Sequence, residues 1–122
     1  MNNLGLFDVE EQNDVLIVAP TTNLSELLYA QLVSSGALVF DWLAKSPLNH
    51  VVLDLERCDY GGSSALGMFL KMWKWVSSRG GKMVLCNVSA NEREVLQVMK
   101  LDQLWTICDS RQAALDHLHD GS

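Results

Sequence analysis

The chain has 122 residues, the size of one ordinary domain. Nine Lys and Arg against fifteen Asp and Glu leave a net charge of −6, while apolar residues make up 48%. That balance supports a core and offers no electrostatic footprint to phosphate backbones or anionic lipid, so neither nucleic acid nor membrane is the expected partner. No unbroken apolar run approaches the ~20 residues of a membrane span, and Met1-Asn2-Asn3-Leu4 does not read as a signal peptide. Cys58, Cys86 and Cys108 are odd in number and dispersed, which suits reducing cytoplasm and no disulfide framework. His50, His117 and His119 complete no ligand set, so no metal or other cofactor is expected.

Leu4–Val9 and Val15–Ala19 read as two strands joined by the polar turn Glu11–Asp14, an N-terminal hairpin. Asn23 with Glu26 has capping-box spacing before a long helix. Leu24, Leu27, Leu28, Leu32, Leu38, Val39, Trp42 and Leu43 supply its expected buried face; Gly36 interrupts it and Ser46-Pro47 ends it. Residues 50–55 read as a buried strand, 56–62 as a loop, and 63–78 as a helix stopped by Gly80-Gly81. Another strand covers 82–88. Ser89 with Glu92 gives a second capping box for a helix through Met99. Leu104–Ile107 is a last short strand, and Asp109 or Ser110 caps a helix ending near Leu118.

Strand–helix alternation after residue 50 predicts parallel strands with helices packed on them. The expected architecture is one α/β domain over 1–122. It holds a four- to five-stranded mixed sheet, with the hairpin first and alternating strands and helices after it. Acids at strand ends are usually solvated, so Asp54 and Glu56 carry no paired-acid chemistry. Asn87 and Ser89, beside the same sheet edge as residue 63, are candidate rim residues of a binding surface.

Val51-Val52-Leu53-Asp54-Leu55, Gly62-Ser63-Ser64-Ala65-Leu66-Gly67 and Arg79 through Ser89 together resemble the STAS domain. That family includes the bacterial anti-sigma factor antagonists. The similarity is close over residues 50–118 and rests on element order before that. The family's helix usually begins Asp-Ser-Ser-Gly-Leu-Gly, its first Ser being the phosphoacceptor of an anti-sigma factor kinase. By position, Gly62 replaces the Asp and Ala65 the first Gly, while Ser63, Ser64, Leu66 and Gly67 match. The resemblance implies a non-enzymatic protein that binds an anti-sigma factor, a serine kinase of the ATP-binding type. Ser63 would be its phosphorylation site, with Ser64 the second choice. Gly62 and Ala65 keep open a constitutive STAS subunit of a larger assembly, such as a signalling scaffold or lipid-transport ATPase complex.

From the residues themselves, Ser63 reads as the N-cap of the helix that follows, a role compatible with modification. A helix start holds unpaired N–H groups and about half a positive charge, which can hold a phosphate. Asp59 and Glu56 deepen the negative field nearby. At about 100° per residue, Leu66, Phe69, Leu70, Trp73 and Val76 form the expected core stripe. Met68, Met72 and Trp75 form a second, which is either covered by the hairpin or last helix or free to dock a partner. The expected partner surface is Asp59, Gly62, Ser63, Ser64, Met68, Met72, Trp75, Asn87 and Ser89, with a weak homodimer another use of the second stripe. Gly61-x-Ser63-x-Ala65 resembles a degraded nucleophile elbow, but several residues separate strand from serine and His117 is a poor base. Gly61-Gly62-Ser63-Ser64 lacks the lysine and spacing of a phosphate-binding loop.

Overall fold

Asn13 and Asp14 both take left-handed backbone angles, φ 52° and 63°, and so close a tight hairpin between Phe7–Gln12 (β2) and Val15–Pro20 (β3). The computed structural model describes residues 2–120, and Asn2–Asn3 (β1) adds a short edge strand to β2. Val51–Asp54 (β4), Met83–Cys86 (β5) and Thr106–Cys108 (β6) continue the sheet in parallel with β3. The order is β1-β2-β3-β4-β5-β6. Six strands therefore stand among the described residues where four to five are expected; the two-residue β1 carries too little pattern to be counted from sequence, and β6 starts two residues later than the expected Leu104–Ile107 strand.

Tyr29–Lys45 (α1), Ser63–Ser78 (α2) and Ala90–Val98 (α3) contribute to one core with the sheet face of Leu16, Val18, Val51, Leu53 and Leu85. Arg111–His119 (α4) covers the other face, where Val15, Ile17, Val52, Val84 and Cys86 meet Ala114, Leu115 and Leu118. The central strands are buried on both faces, which is why they read as unbroken apolar runs.

α1 departs from its expected face. Leu32, Val39 and Leu43 are buried, but Leu27 is 93% exposed and Leu38 51%. Gly36 does not interrupt the helix; it lies buried beside Met68, whose Sδ and Cε would be 3.5 Å from an added Cβ. Asn23 does not cap either: a 3₁₀ turn, Glu26–Leu28, precedes α1 after Ser25, which makes no side-chain cap bond. By length and composition Glu26–Lys45 would be long and apolar enough to cross a membrane, although it contains no unbroken run of that size. One face of it is buried through Leu32, Ser35, Gly36, Val39 and Leu43.

Candidate functional site

The loop from β4 to α2 is gripped by the starts of two other helical segments. Asn23 Oδ1 accepts from the backbone N–H groups of Asp59 and Tyr60, at 2.7 and 3.3 Å. Leu24 and Gly61 form a parallel bridge, with Leu24 N–H donating to Tyr60 O and Gly62 N–H to Leu24 O. From the other side, Ser89 Oγ donates to Asp59 O at 2.9 Å and accepts from Glu92 N–H at 3.1 Å. Glu92 Oε2 takes the Gly61 N–H at 2.6 Å. Beneath them Cys58 is buried, its Sγ donating to Tyr60 O, and burial pushes its thiol up. Peptide groups that a loop would leave to water are thus held by side chains.

Both capping-box acids turn from their expected local partners to this loop. Glu92 bonds Gly61 instead of Ser89. Glu26 bonds α2: its Oε1 accepts from Ser64 N–H at 2.8 Å, its Oε2 from Ser64 Oγ at 2.8 Å, and Oε1 is 3.4 Å from Ser63 Oγ. The N-cap of α2 is Gly62, not Ser63, and it has no side chain to offer. Ser63 is therefore the first helical residue, and Glu26 supplies the anion that a local cap would have supplied. The Ser64 amide, followed by the two hydroxyls, holds the Glu26 carboxyl below the usual range. A Cβ at Gly62 would lie 2.6 Å from Glu26 Oε1, so a larger residue there would shift the Glu26 side chain.

Ser63 and Asp59 are exposed, Ser64 and Ser89 partly so. Ser63 Oγ meets a carboxylate rather than an imidazole. Met72 needs correcting: it is fully buried and cannot meet a partner. Met72 lies in the core cluster shared by α1, α2 and the sheet face, which includes Phe7, Val9, Leu16 and Val18 of the hairpin. Met68 is half-buried against the core. Trp75 is half-buried too, with the Arg79 guanidinium 4.4 Å from its ring centre. Leu70 and Trp73, expected in the core, are partly exposed.

Asn87, at φ 56°, turns inward: its Nδ2 donates to Asp54 Oδ1 at 2.9 Å. Asp54, expected to be solvated, is 2% exposed. Arg111 Nε and the Glu56 N–H also serve it, at 2.9 and 3.1 Å. Burial alone would raise its carboxyl; Asn87, Arg111 and the Glu56 amide outweigh that and hold it low.

The apolar surface that sequence spacing misses lies on α1. Tyr29 and Val33, 57% and 55% exposed, border a groove of about 620 Å³ between α1 and α2 that reaches Ser64 at one end and Lys71. The available signal is the density of Leu24, Leu27, Leu28 and Tyr29, more apolar residues than one helix face can bury.

Glu92 is the strained member of the loop clamp. It is 2% exposed, its Oε1 has no hydrogen-bond partner among the described residues, and burial pushes its carboxyl up although the Gly61 N–H pulls the other way. Glu92→Gln keeps an oxygen for Gly61 and removes the buried charge, so about 1 kcal/mol of added stability is expected at neutral pH. A raised folded pKa favours the wild type once the acid is protonated. That contribution is complete below the unfolded value of about 4.3 and is lost as pH rises through the folded value. The difference in urea midpoint between variant and wild type should therefore shrink from pH 7 to about pH 4; a pH-independent difference would contradict it.

The STAS domain family model matches residues 7–114. An anti-sigma F factor antagonist of Paenibacillus polymyxa is 32% identical over 69 residues, 57% of this chain and 59% of that relative. The chain thus aligns with about three-fifths of that relative's length. A Thermotoga neapolitana protein, the TM1081 homolog, is 32% identical over 115 residues, 93% of this chain and 97% of the relative. An anti-sigma-factor antagonist (STAS) domain protein from Planctomyces limnophilus superposes with a TM-score of 0.82 at 25% identity, covering 93% of this chain and 97% of that one. Sequence, domain model and fold converge: the chain belongs to the STAS domain family.

Proposed function

We propose that this protein binds an anti-sigma factor of the ATP-binding kinase type through the surface around Ser63, and that phosphorylation of Ser63 ends the association. The observation that carries this reading is an exposed hydroxyl in the first turn of α2, on a loop fixed by Asn23, Ser89, Glu92 and Glu26. A partner meets a preformed surface there, with little ordering left to do. Asp59, Ser64 and Ser89 border it, and Tyr29 and Val33 extend it with apolar area.

In the modification step, Ser63 Oγ attacks the γ-phosphorus of a nucleoside triphosphate held by the partner. The Oγ–P bond forms as the bond to the bridging oxygen breaks, the diphosphate leaves, and the hydroxyl proton passes to a base on the kinase. The product adds roughly −1.5 to −2 charges to a chain already acidic, repelling whatever docks there while leaving the core untouched. Reversal needs a separate phosphatase. Ser64 is the poorer acceptor because its hydroxyl already donates to Glu26 at 2.8 Å. Such a partner implies a cytoplasmic setting.

Incubation with the cognate anti-sigma factor kinase and ATP is expected to add one phosphate to the wild type and none to Ser63→Ala. The second reading, a constitutive subunit, is favoured by the departures Gly62 and Ala65. Stable complex formation with no change in mass would establish it and end the switch.

A further inference from the structure

Two acids reach the Ser63 loop, and they differ in their freedom to leave it. Glu92 is 2% exposed and lies beneath Gly61. Glu26 is exposed, belongs to a single 3₁₀ turn, and bonds α2 through its carboxylate oxygens, to the Ser64 N–H and to the Ser63 and Ser64 hydroxyls. The Ser64 N–H it accepts is one of the donors that the first turn of a helix cannot satisfy internally. A phosphate on Ser63 would seek the same donors, because anions favour them. It would arrive beside a carboxylate now 3.4 Å from Ser63 Oγ. No Lys or Arg occurs between Ser63 and Lys71 to neutralise the pair. Two anions in one place repel, and the mobile one yields.

We propose that Glu26 is the internal competitor of the Ser63 phosphate: it occupies the start of α2 in the unmodified protein and is expelled when Ser63 is phosphorylated. This rests on the Ser63 reading above and adds the residue that opposes the modification and changes place. The Leu24 bonds to Tyr60 and Gly62 stay on the loop, so movement begins after Leu24 and falls on the Glu26–Leu28 turn. Leu27, 93% exposed, and Tyr29 flank the acid that moves. Phosphorylation thereby alters the apolar border of the partner surface as well as its charge. The same contacts make Glu26 specificity-determining, since it withholds Ser64 Oγ and leaves Ser63 the freer hydroxyl.

The test needs no kinase. Ser63→Asp, with aspartate as the anion in place of phosphate, is made in the wild type and in Glu26→Gln, and the four proteins are compared by urea denaturation. Glutamine keeps an oxygen for the Ser64 N–H and removes the charge. Ser63→Asp is expected to lower the folding constant in the wild type and to lose that effect, or reverse it, beside Glu26→Gln; the coupling should be about fivefold or more. Equal effects in both backgrounds overturn the proposal. If Ser63→Asp alone does not fold, restored folding on adding Glu26→Gln supports it and continued failure overturns it. Amide exchange gives an independent reading. The Leu28 N–H, bonded to Ser25 O at 3.0 Å, should exchange faster in Ser63→Asp, and an unchanged rate overturns the displacement. Phosphoryl transfer is absent from these measurements, so a kinase that ignores Ser63 would end the switch and leave the coupling standing.

Discussion

Arg111→Met is expected to destabilise the fold by about 3 kcal/mol, because it strands a buried carboxylate. Asp54 closes β4 at 2% exposure, and its Oδ2 receives Arg111 Nε at 2.9 Å. Arg111 comes from α4 and also reaches Glu10 Oε2 at 3.5 Å and Gln12 Oε1 at 3.3 Å on β2. One guanidinium thus fastens α4 to two strands, a geometry that its planar fork serves and methionine cannot. The carboxyl of Asp54 is held low, so the pair contributes stability above the unfolded value of about 3.9 and loses it as pH falls through the folded value. The gap between variant and wild type in urea should accordingly narrow in acid. Asp54→Asn in the Arg111→Met background should recover part of the loss, since an amide left without Arg111 costs less than a charge. A change below about 0.5 kcal/mol would make the pair equivalent to a surface ion pair.

Local signals in the chain mark where elements stop and start, and tertiary contacts decide where long side chains go. Val51–Leu55 is a β-branched and leucine run buried on both faces, so a strand follows with little ambiguity. Gly80-Gly81 and Ser46-Pro47 end α2 and α1 within a residue or two of the expected places. Ser89 and Ser110 cap their helices through their own hydroxyls, as their positions predict. The acids three residues after Asn23 and Ser89 behave differently. Spacing puts each within reach of its own helix start, but the loop 59–64 offers amides with no other partner, and both carboxylates serve those instead. Nothing within a few residues of Glu26 or Glu92 announces that loop, because it is brought near by the sheet. Ser63 is findable from its motif; the acid against it is not. Asp54 shows the same limit, since its burial depends on Arg111, 57 residues away.

The face of α2 is a sharper case, and Met72→Ala tests it. Helical spacing puts Leu66, Phe69, Leu70, Trp73 and Val76 on the core stripe, which leaves Met72 outward at about 100° per residue. The buried set is Ala65, Leu66, Phe69, Met72 and Val76, which keeps three of the expected residues and takes Ala65 and Met72 in place of Leu70 and Trp73. A helix that packs on a sheet and beside another helix buries a wider and displaced arc, and periodicity alone cannot say on which side the second neighbour lies. Met72 is fully buried, so truncation should cost about 3 kcal/mol in urea denaturation through lost transfer energy and the cavity left behind. Trp75→Ala should cost less, about 1–2 kcal/mol, because its ring is half-buried and capped by Arg79 at 4.4 Å. Reversal of that order, with Met72→Ala below about 1 kcal/mol and partner binding lost, would return Met72 to the surface. The expected order leaves binding to Ser63, its loop and the exposed side of α1, and makes Met72 the residue that holds α2 in place beneath them.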